Sequence, residues 1–250
     1  LAAWSDWGGA GSRPGERLDD RVARSLGLFA GKSAESHRSG NTLFAQLFSP
    51  GQRPSGRWRP VVAADGSTTL FHGDLDNAAE LAGALGLGPG TADPARVYAA
   101  ALLAWGDGAD LRCVGSYCAI TLDAAQTRLR LVRSPLIAPP LHYWHADGQC
   151  VAASVPRVLH AAGLAPRLDP ERLAANLLLD HTDEERGWYL GARRGPGGRA
   201  GVVTPTGPRP HAPYTASNRS FERPGTLAGE LEIPIHIHIH ETADEIANSL

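Results

Sequence analysis

Residues 131–143 read L-V-R-S-P-L-I-A-P-P-L-H-Y, and they are most informative about the fold together with two earlier segments. Residues 113–123 read C-V-G-S-Y-C-A-I-T-L-D, and residues 71–77 read F-H-G-D-L-D-N. Runs of Val, Ile, Leu and aromatic residues are typical of strands, while Gly, Pro and Asp mark the turns between them. The three segments therefore predict short strands that are joined by turns.

Further strands and helices alternate outward from these segments. Asp-Gly pairs at residues 65–66 and 147–148 predict hairpin turns. Apolar residues at helical spacing predict helices at residues 17–29, 77–87, 93–105, 156–162 and 170–179. Strands are predicted at residues 42–48, 59–64, 68–72, 117–122, 129–132, 141–144, 150–154 and 199–204. Antiparallel hairpins with interspersed helices indicate an α+β fold.

The composition changes twice along the chain. Residues 1–41 are rich in Gly, Ser and Arg, and we expect them to be a poorly structured leader or upstream extension. Residues 42–214 carry most of the predicted elements and form the main domain, with Thr42 in its first strand. Residues 215–250 are interpreted as a linker and the start of a truncated carboxy-terminal domain.

Composition excludes several classes of protein. The 250 residues are 42% hydrophobic, which suits a globular domain. The net charge of −2 shows no excess of basic residues of the kind that nucleic-acid binding requires. No apolar run is long enough to cross a membrane, and no signal segment opens the chain. The three cysteines, Cys113, Cys118 and Cys150, are interpreted as reduced thiols of a cytoplasmic protein.

The three segments at residues 71–77, 113–123 and 131–143 follow one another in an order that resembles the order of motifs in a known family. Asparagine synthetases carry N-G-E-I-Y-N, then G-x-[YF]-A followed by a strand, then R-D-P-x-G-x-x-P-L-Y-Y, in their amino-terminal domain. This chain is similar to that domain, which is of the class II glutamine amidotransferase, N-terminal-nucleophile (Ntn) hydrolase type. The resemblance covers about residues 42–214. It implies a four-layer αββα sandwich of two antiparallel sheets with helices outside.

One branch of the family is closer than the others. The version R-S-P-x-x-A-P-P-L-H-Y resembles the bacterial cyclases that close the macrolactam ring of lasso peptides. E-R-G-W-Y-L-G at residues 185–191, followed by Arg193 and Arg194, resembles a second stretch of those cyclases. Trp188 and Tyr189 would then contact a peptide; the alternative is that both aromatic side chains belong to the core.

The resemblance also implies a degenerate glutamine pocket. His72 replaces the Asn that forms an oxyanion hole in glutamine-hydrolysing relatives, and Gly73 keeps the adjacent glycine. Asp93 occupies the position of an aspartate that binds the amino group of glutamine, although an acidic residue there could equally stabilise a helix start. Arg133 is retained, while Ser134 replaces an aspartate. The pocket implied by the resemblance contains His72, Gly73, Asp74, Asn77, Asp93 and Arg133.

The catalytic residue of the family has no counterpart in the predicted domain. In relatives the nucleophile is an N-terminal cysteine whose own α-amine acts as the base. The predicted first strand contains Thr42 instead, which could serve only after cleavage between Asn41 and Thr42. The family's R-x-R-G-x-D segment, which helps to hold glutamine, has no evident counterpart either. We therefore expect no glutaminase activity and assign no catalytic residue.

Three histidines alternate with isoleucine near the end of the sequence, at His236, His238 and His240. On a strand they would project from one face, about 6.5–7 Å apart, where two could bind a metal. They could equally form the solvent-exposed face of an edge strand, which is the interpretation we favour.

The resemblance implies an amino-terminal domain of an ATP-dependent, amide-forming enzyme, of the lasso peptide cyclase kind. No S-G-G-x-D-S pyrophosphate loop occurs in the 250 residues, so ATP and Mg²⁺ are expected in a missing synthetase domain. The expected partners are that domain, a precursor peptide and leader-processing proteins. The alternatives are a glutamine-hydrolysing asparagine synthase domain and a non-catalytic module that binds a peptide or partner subunit.

Overall fold

The computed structural model describes most of the first 210 residues. The described residues are 1–7, 18–27, 33–51, 56–88, 93–135, 138–179, 183, 185–195, 197–198, 200–205 and 207–210. All of them belong to the first of two units, Leu1–Tyr214 and Thr215–Leu250, into which the contacts divide the chain. His236, His238 and His240, with the predicted linker and second domain, lie outside the described residues.

Twelve strands and five helices are found in the described part of the chain. The strands are β1 Ala2–Asp6, β2 Ser33–Ser39, β3 Thr42–Phe48, β4 Val61–Val62, β5 Thr68–Leu75, β6 Gly115–Leu122, β7 Leu129–Arg133, β8 His142–Ala146, β9 Gln149–Ala153, β10 Arg193–Arg194, β11 Ala200–Thr204 and β12 Gly207–Pro210. The helices are α1 Leu18–Gly27, α2 Ala78–Ala84, α3 Pro94–Trp105, α4 Pro156–Ala162 and α5 Pro170–Leu177.

The strands form two antiparallel sheets. The first has the order β10-β8-β9-β1-β3-β2, and the second has the order β12-β11-β7-β6-β5-β4. Hairpins connect β2 with β3, β6 with β7 and β8 with β9. The predicted turns at residues 65–66 and 147–148 connect β4 with β5 and β8 with β9.

Three apolar clusters fill the spaces between four layers. The central cluster joins the two sheets through residues such as Phe44 and Ile120, both fully buried. A second cluster packs α1 and α4 on the first sheet, around Val151 and Leu159. A third packs α2 and α3 on the second sheet, around Tyr98. The predicted α+β sandwich with helices outside is therefore confirmed.

The expectation that residues 1–41 form a poorly structured leader is wrong for the described part of that region. The strand β1 pairs with β3 on one side and with β9 on the other, near the middle of the first sheet. Four of its five residues are buried, and β2 extends the same sheet beyond β3. The domain therefore includes the first residues of the chain, and Thr42 is not in its first strand.

The remaining predicted elements agree with the structure within a few residues at each end. The helix expected at residues 17–29 is α1, and the five helices all fall at predicted positions. None of the helices in the described residues is long and apolar enough to cross a membrane.

Candidate functional site

A cleft with a volume of about 390 Å³ lies where β3 of one sheet approaches β4 and β5 of the other, beside the start of α3. It is lined by Gln46, Phe48, Trp58, Arg59, Pro60, Val61, Thr69, Leu70, Phe71, His72, Gly73, Asp93, Pro94 and Ala95. Three of the six residues of the predicted pocket, His72, Gly73 and Asp93, are therefore brought together. Its volume is at the lower end of the range for small-molecule sites.

The backbone at Gly73 admits no side chain. Gly73 lies opposite Tyr117 in the β5–β6 ladder and has φ of +117°, a conformation that favours glycine. A Cβ at this position would lie 2.0 Å from the carbonyl oxygen of Ser116. The glycine is therefore required by the close approach of β6, and its position beside the cleft follows from that packing.

His72 precedes this glycine and presents its imidazole at the cleft. It lies opposite Cys118 in the ladder and is exposed, whereas the Cys118 side chain is fully buried between the sheets. An exposed imidazole can donate a hydrogen bond to a ligand in the cleft.

Asp93 lies at the start of α3, as the sequence predicts. Its Oδ1 accepts a hydrogen bond from the backbone nitrogen of Ala95 at 3.2 Å, and Pro94 occupies the first helical position. Its Oδ2 lies 3.6 Å from Nε of Arg96. The carboxylate thus stabilises the helix start, and it also lines the cleft.

Asp74 and Asn77 do not line the cleft. Asp74 is exposed on β5. The Asn77 side chain joins two backbone groups, because its Nδ2 donates to the Arg112 carbonyl at 2.9 Å and its Oδ1 accepts from the Val114 nitrogen at 3.0 Å. The geometry gives Asn77 a structural role in holding the segment before β6.

Arg133 holds a loop together rather than facing the cleft. Its guanidinium donates hydrogen bonds to three backbone carbonyls, those of Pro139 at 3.0 Å, Gly195 at 2.8 Å and Ala138 at 3.3 Å. These contacts correspond to the alternative in which the arginine ties down backbone carbonyls.

Ser134 extends the pairing of β6 with the chain after β7. Its backbone nitrogen donates to the Tyr117 carbonyl at 2.9 Å, while its Oγ accepts from the Tyr117 nitrogen at 3.1 Å. Ser134 is 1% exposed. A serine here satisfies a buried backbone N–H without placing a charge between the strands.

Eleven of the fourteen lining residues were not in the predicted pocket, among them the side chains of Gln46, Phe48, Trp58 and Arg59. Phe48 and Trp58 form an edge-to-face pair with ring centroids 6.1 Å apart. The available signal was R-W-R at residues 57–59, two arginines around a tryptophan just before a strand. This short pattern does not by itself distinguish a binding site from an exposed loop.

The cysteines are unsuited to act as nucleophiles. Cys113, Cys118 and Cys150 are buried, and none of them lines the cleft. Burial raises the pKa of the Cys118 thiol to about 11, and burial with the nearby Asp110 carboxylate raises the pKa of Cys113 to about 12. Both side chains are therefore thiols rather than reactive thiolates at neutral pH.

Thr42 is not an accessible nucleophile. It is 1% exposed within β3, and its hydroxyl lies 2.7 Å from the hydroxyl of Ser5 on β1. Cleavage between Asn41 and Thr42 would sever the β2–β3 turn and leave Thr42 between two strands. These contacts argue against the alternative in which Thr42 supplies the chemistry.

Trp188 and Tyr189 are partly buried and already have aromatic or cationic neighbours. The Arg172 guanidinium lies over the Trp188 ring at 5.4 Å, and the His160 ring meets Tyr189 edge-on at 4.4 Å. These contacts favour the interpretation in which both aromatic side chains are structural. Within the described residues, no cluster of His, Cys, Asp or Glu could hold a metal ion.

Solved structures with the same architecture match most of the chain. A glutamine phosphoribosylpyrophosphate amidotransferase from B. subtilis matches with a TM-score of 0.52 and 14% identity, covering 84% of this chain and 49% of that one. An allosteric regulatory enzyme of purine biosynthesis matches with a TM-score of 0.55 and 13% identity, over 84% and 48%. This likeness shows that the chain shares the fold of the matched parts of these two enzymes. The chain spans about half the length of each of those two structures.

Sequence similarity points to a different set of proteins over a short stretch. A segment of 41 residues is 54% identical to 5-methylthioadenosine/S-adenosylhomocysteine deaminase of Saccharophagus degradans, and 37 residues are 60% identical to 5'-deoxyadenosine deaminase of Methanococcus maripaludis. These stretches are 16% and 15% of this chain and 9% of each deaminase. Matched segments of 41 and 37 residues are too short to bury a core of their own, so the match does not assign deaminase activity to this chain. No protein-family model matches the sequence.

Proposed function

We propose that this chain is the amino-terminal domain of an asparagine-synthetase-like enzyme that forms amide bonds with ATP, of the kind that closes lasso peptides. In this proposal the domain keeps the amidotransferase fold and its cleft, and it does not hydrolyse glutamine. The observation that most supports the proposal is the composition of the cleft. Gly73 and His72 line it, and no cysteine is among its lining residues.

Glutamine hydrolysis requires a nucleophile beside the donors that stabilise the tetrahedral intermediate. Gly73 and the exposed His72 could supply such donors. The nearest candidate thiol in the ladder is that of Cys118, opposite His72, but its side chain is fully buried and its pKa is raised to about 11. The cleft is therefore suited to binding a ligand and not to attacking one.

The amide-forming chemistry belongs to the expected synthetase domain, which would use ATP and Mg²⁺ to activate a carboxylate for attack by an amine. The described residues of this domain contain no candidate metal cluster, and we assign none of them to those cofactors. The expected partners are the synthetase domain, a precursor peptide and leader-processing proteins. The asparagine synthase alternative requires ammonia from glutamine, which the cleft is not built to release.

The first test is a measurement of glutamate release from glutamine by the purified chain, with an active class II amidotransferase as a positive control. We expect release no higher than that of a protein-free blank. Release above the blank that disappears in a Cys118→Ser variant would overturn the proposal, because a buried thiol would then have to be the nucleophile.

The second test uses the protein encoded by the longest reading frame that contains this sequence. Incubation with a candidate precursor peptide and ATP–Mg²⁺ should yield a peptide that has lost one water, detected by mass spectrometry. ATP-dependent conversion of aspartate to asparagine, with glutamine supplying the nitrogen and released as glutamate, would identify the asparagine synthase alternative. Peptide binding without ATP consumption would identify the non-catalytic module.

A further inference from the structure

The wall of the cleft contains an aromatic corner, which we define as Phe48 and Trp58. Their rings pack edge-to-face at 6.1 Å with an interplanar angle of 68°. Phe48 is 9% exposed, so it is anchored in the core, whereas Trp58 is only partly buried. Because Trp58 is only partly buried, part of its ring can pack against a third aromatic group, and such ring contacts are favourable beyond the burial of area.

The aromatic corner is unsuited to a carboxamide side chain. A buried amide must find hydrogen-bond partners, because burying one without them is unfavourable. Phe48 has no polar side-chain atom, and Trp58 offers a single N–H donor. The corner therefore favours an apolar ring over glutamine at this position.

The neighbouring charge at the cleft is positive. Arg59 follows Trp58 directly and lines the cleft, and its guanidinium is exposed. The pKa of His37 on β2 is lowered by burial and then by the positive charges of Arg59 and Arg57, which places both guanidinium groups near the same edge of the sandwich. The carboxylate of Asp93, which also lines the cleft, has its own partners in Arg96, with Nε at 3.6 Å, and in the backbone N–H of Ala95. A guanidinium beside an aromatic corner suits a carboxylate carried next to an aromatic ring.

The volume of about 390 Å³ limits the ligand. Small-molecule sites are roughly 300–1,000 Å³, so this cleft fits about one amino-acid residue. We infer that the cleft binds an aromatic side chain that lies next to a carboxylate. The source is either a free aromatic amino acid or the carboxy-terminal residue of a peptide. The inference rests on the proposed function in one respect, that the bound group is held and not hydrolysed.

Isothermal titration of the full chain with three probes tests the ligand class. The probes are N-acetyl-L-phenylalanine, its carboxamide, and N-acetyl-L-glutamine. We expect the first to bind at least tenfold more tightly than the third, because only the phenylalanine ring fits the aromatic corner. The carboxamide should bind more weakly than the free acid. Equal affinity for phenylalanine and glutamine probes, or no binding of the phenylalanine probe, would overturn the inference.

Substitutions of Trp58 and Arg59 test the aromatic corner and the positive charge of the cleft separately. Trp58→Ala should weaken binding of N-acetyl-L-phenylalanine about tenfold or more, and Arg59→Gln should weaken the acid while leaving the carboxamide unchanged. Trp105→Ala and Arg128→Gln are matched controls outside the cleft and should bind like the parent. Unchanged affinity in a correctly folded Trp58→Ala protein would remove the aromatic corner from the site.

The same titration distinguishes the two sources. Tighter binding of L-phenylalanine than of glycyl-L-phenylalanine would identify a free amino acid, and the reverse order would identify a peptide end. Glutamate release in the glutaminase assay would overturn the proposed function without bearing on these affinities. Failure of the phenylalanine probe to bind, with no glutamate released, would overturn only the ligand class.

Discussion

Gly73 lies so close to Ser116 that a Cβ on the glycine would stand 2.0 Å from the serine carbonyl oxygen. The Tyr117 Cα would be 2.7 Å from the same Cβ, so the obstacle is backbone on both counts. A flexible side chain could move aside, but the β6 backbone is held by pairing with β5 and β7. Only glycine therefore fits at this point of the cleft wall.

Gly73→Val should destabilise the domain by roughly 3 kcal/mol or more, since the β-branched residue meets both a backbone clash and an unfavourable φ. Urea denaturation measures the effect. Gly83→Ala is the matched control, because a Cβ at that position in α2 has no atom within 4 Å and should stabilise the domain by about 0.5–1 kcal/mol. A Gly73→Val protein as stable as the parent would mean that β5 and β6 are not paired as described.

The strand β1 gives a second prediction. Ala3 is 1% exposed, pairs with Phe44 on β3 and belongs to the central apolar cluster. Ala3→Asp places an unpaired carboxylate between the sheets and should leave the purified chain without a cooperative unfolding transition. Ala79→Asp is the control, because that residue is exposed near the start of α2, where an acid is favourable. A cooperative transition near that of the parent for Ala3→Asp would contradict the position of β1.

The first residues of the chain show what sequence reasoning could not supply. A-A-W-S-D has neither the alternation of a half-buried strand nor β-branched residues, so nothing in the pattern marks it. Its small side chains suit a central strand that is covered on one face by the other sheet and on the opposite face by α1 and α4. Its place is set by pairing with β3 and β9, which are distant in sequence.

The cleft was predictable only in part, for a similar reason. His72 and Gly73 sit on one strand within a motif, and Asp93 has the local signature of a helix start, so all three could be found. Phe48 ends β3, whereas Trp58 lies in the segment before β4, and their pairing depends on how that segment folds back on the first sheet. Asn77 and Arg133 were assigned to the pocket by resemblance, whereas their hydrogen bonds go to backbone groups.

A buried charge cluster on the second sheet provides a third prediction. Arg130 forms an ion pair with Asp110, approaches Asp107 at 3.4 Å and donates to the Tyr98 hydroxyl at 2.9 Å. Arg130→Met leaves the Asp110 carboxylate, which is 13% exposed, without its cation. We expect a loss of about 3–5 kcal/mol in the free energy of unfolding.

The control for this change is Arg128→Met. Arg128 lies 3.5 Å from Asp123 with 61% of its side chain exposed, and a surface pair of this kind contributes about 0–1 kcal/mol. The double variant Asp110→Asn, Arg130→Met should recover part of the lost stability, because no buried carboxylate is left unpaired. Equal losses for the two arginine variants would show that burial does not strengthen the Arg130 pair.

Buried His142 makes stability depend on pH. Burial, and then the positive charges of Arg194 and Arg133, lower its pKa from 6.5 to about 4. Because the unfolded chain takes up the proton first, the contribution of the neutral imidazole is complete above pH 6.5 and is lost as the pH falls toward 4. The loss is on the order of 3 kcal/mol for a shift of this size. Urea denaturation from pH 7.5 to pH 4.5 should show a steeper fall for the parent than for His142→Gln. Parallel curves would place the imidazole in contact with water.

Arg133 provides the last prediction, which separates a structural arginine from one that binds a ligand. Its three carbonyl contacts connect the end of β7 with residues 138–139 and with Gly195, so the guanidinium closes a loop rather than a ligand site. Arg133→Gln should lower the free energy of unfolding by about 1–3 kcal/mol, because three partly buried carbonyls lose a charged donor. Affinity for N-acetyl-L-phenylalanine in the cleft should be unchanged in the folded variant, whereas Arg59→Gln should show the opposite pattern of stable fold and weaker binding. Weaker binding with unchanged stability in Arg133→Gln would return this arginine to the ligand site, and the loop contacts would then be secondary to it.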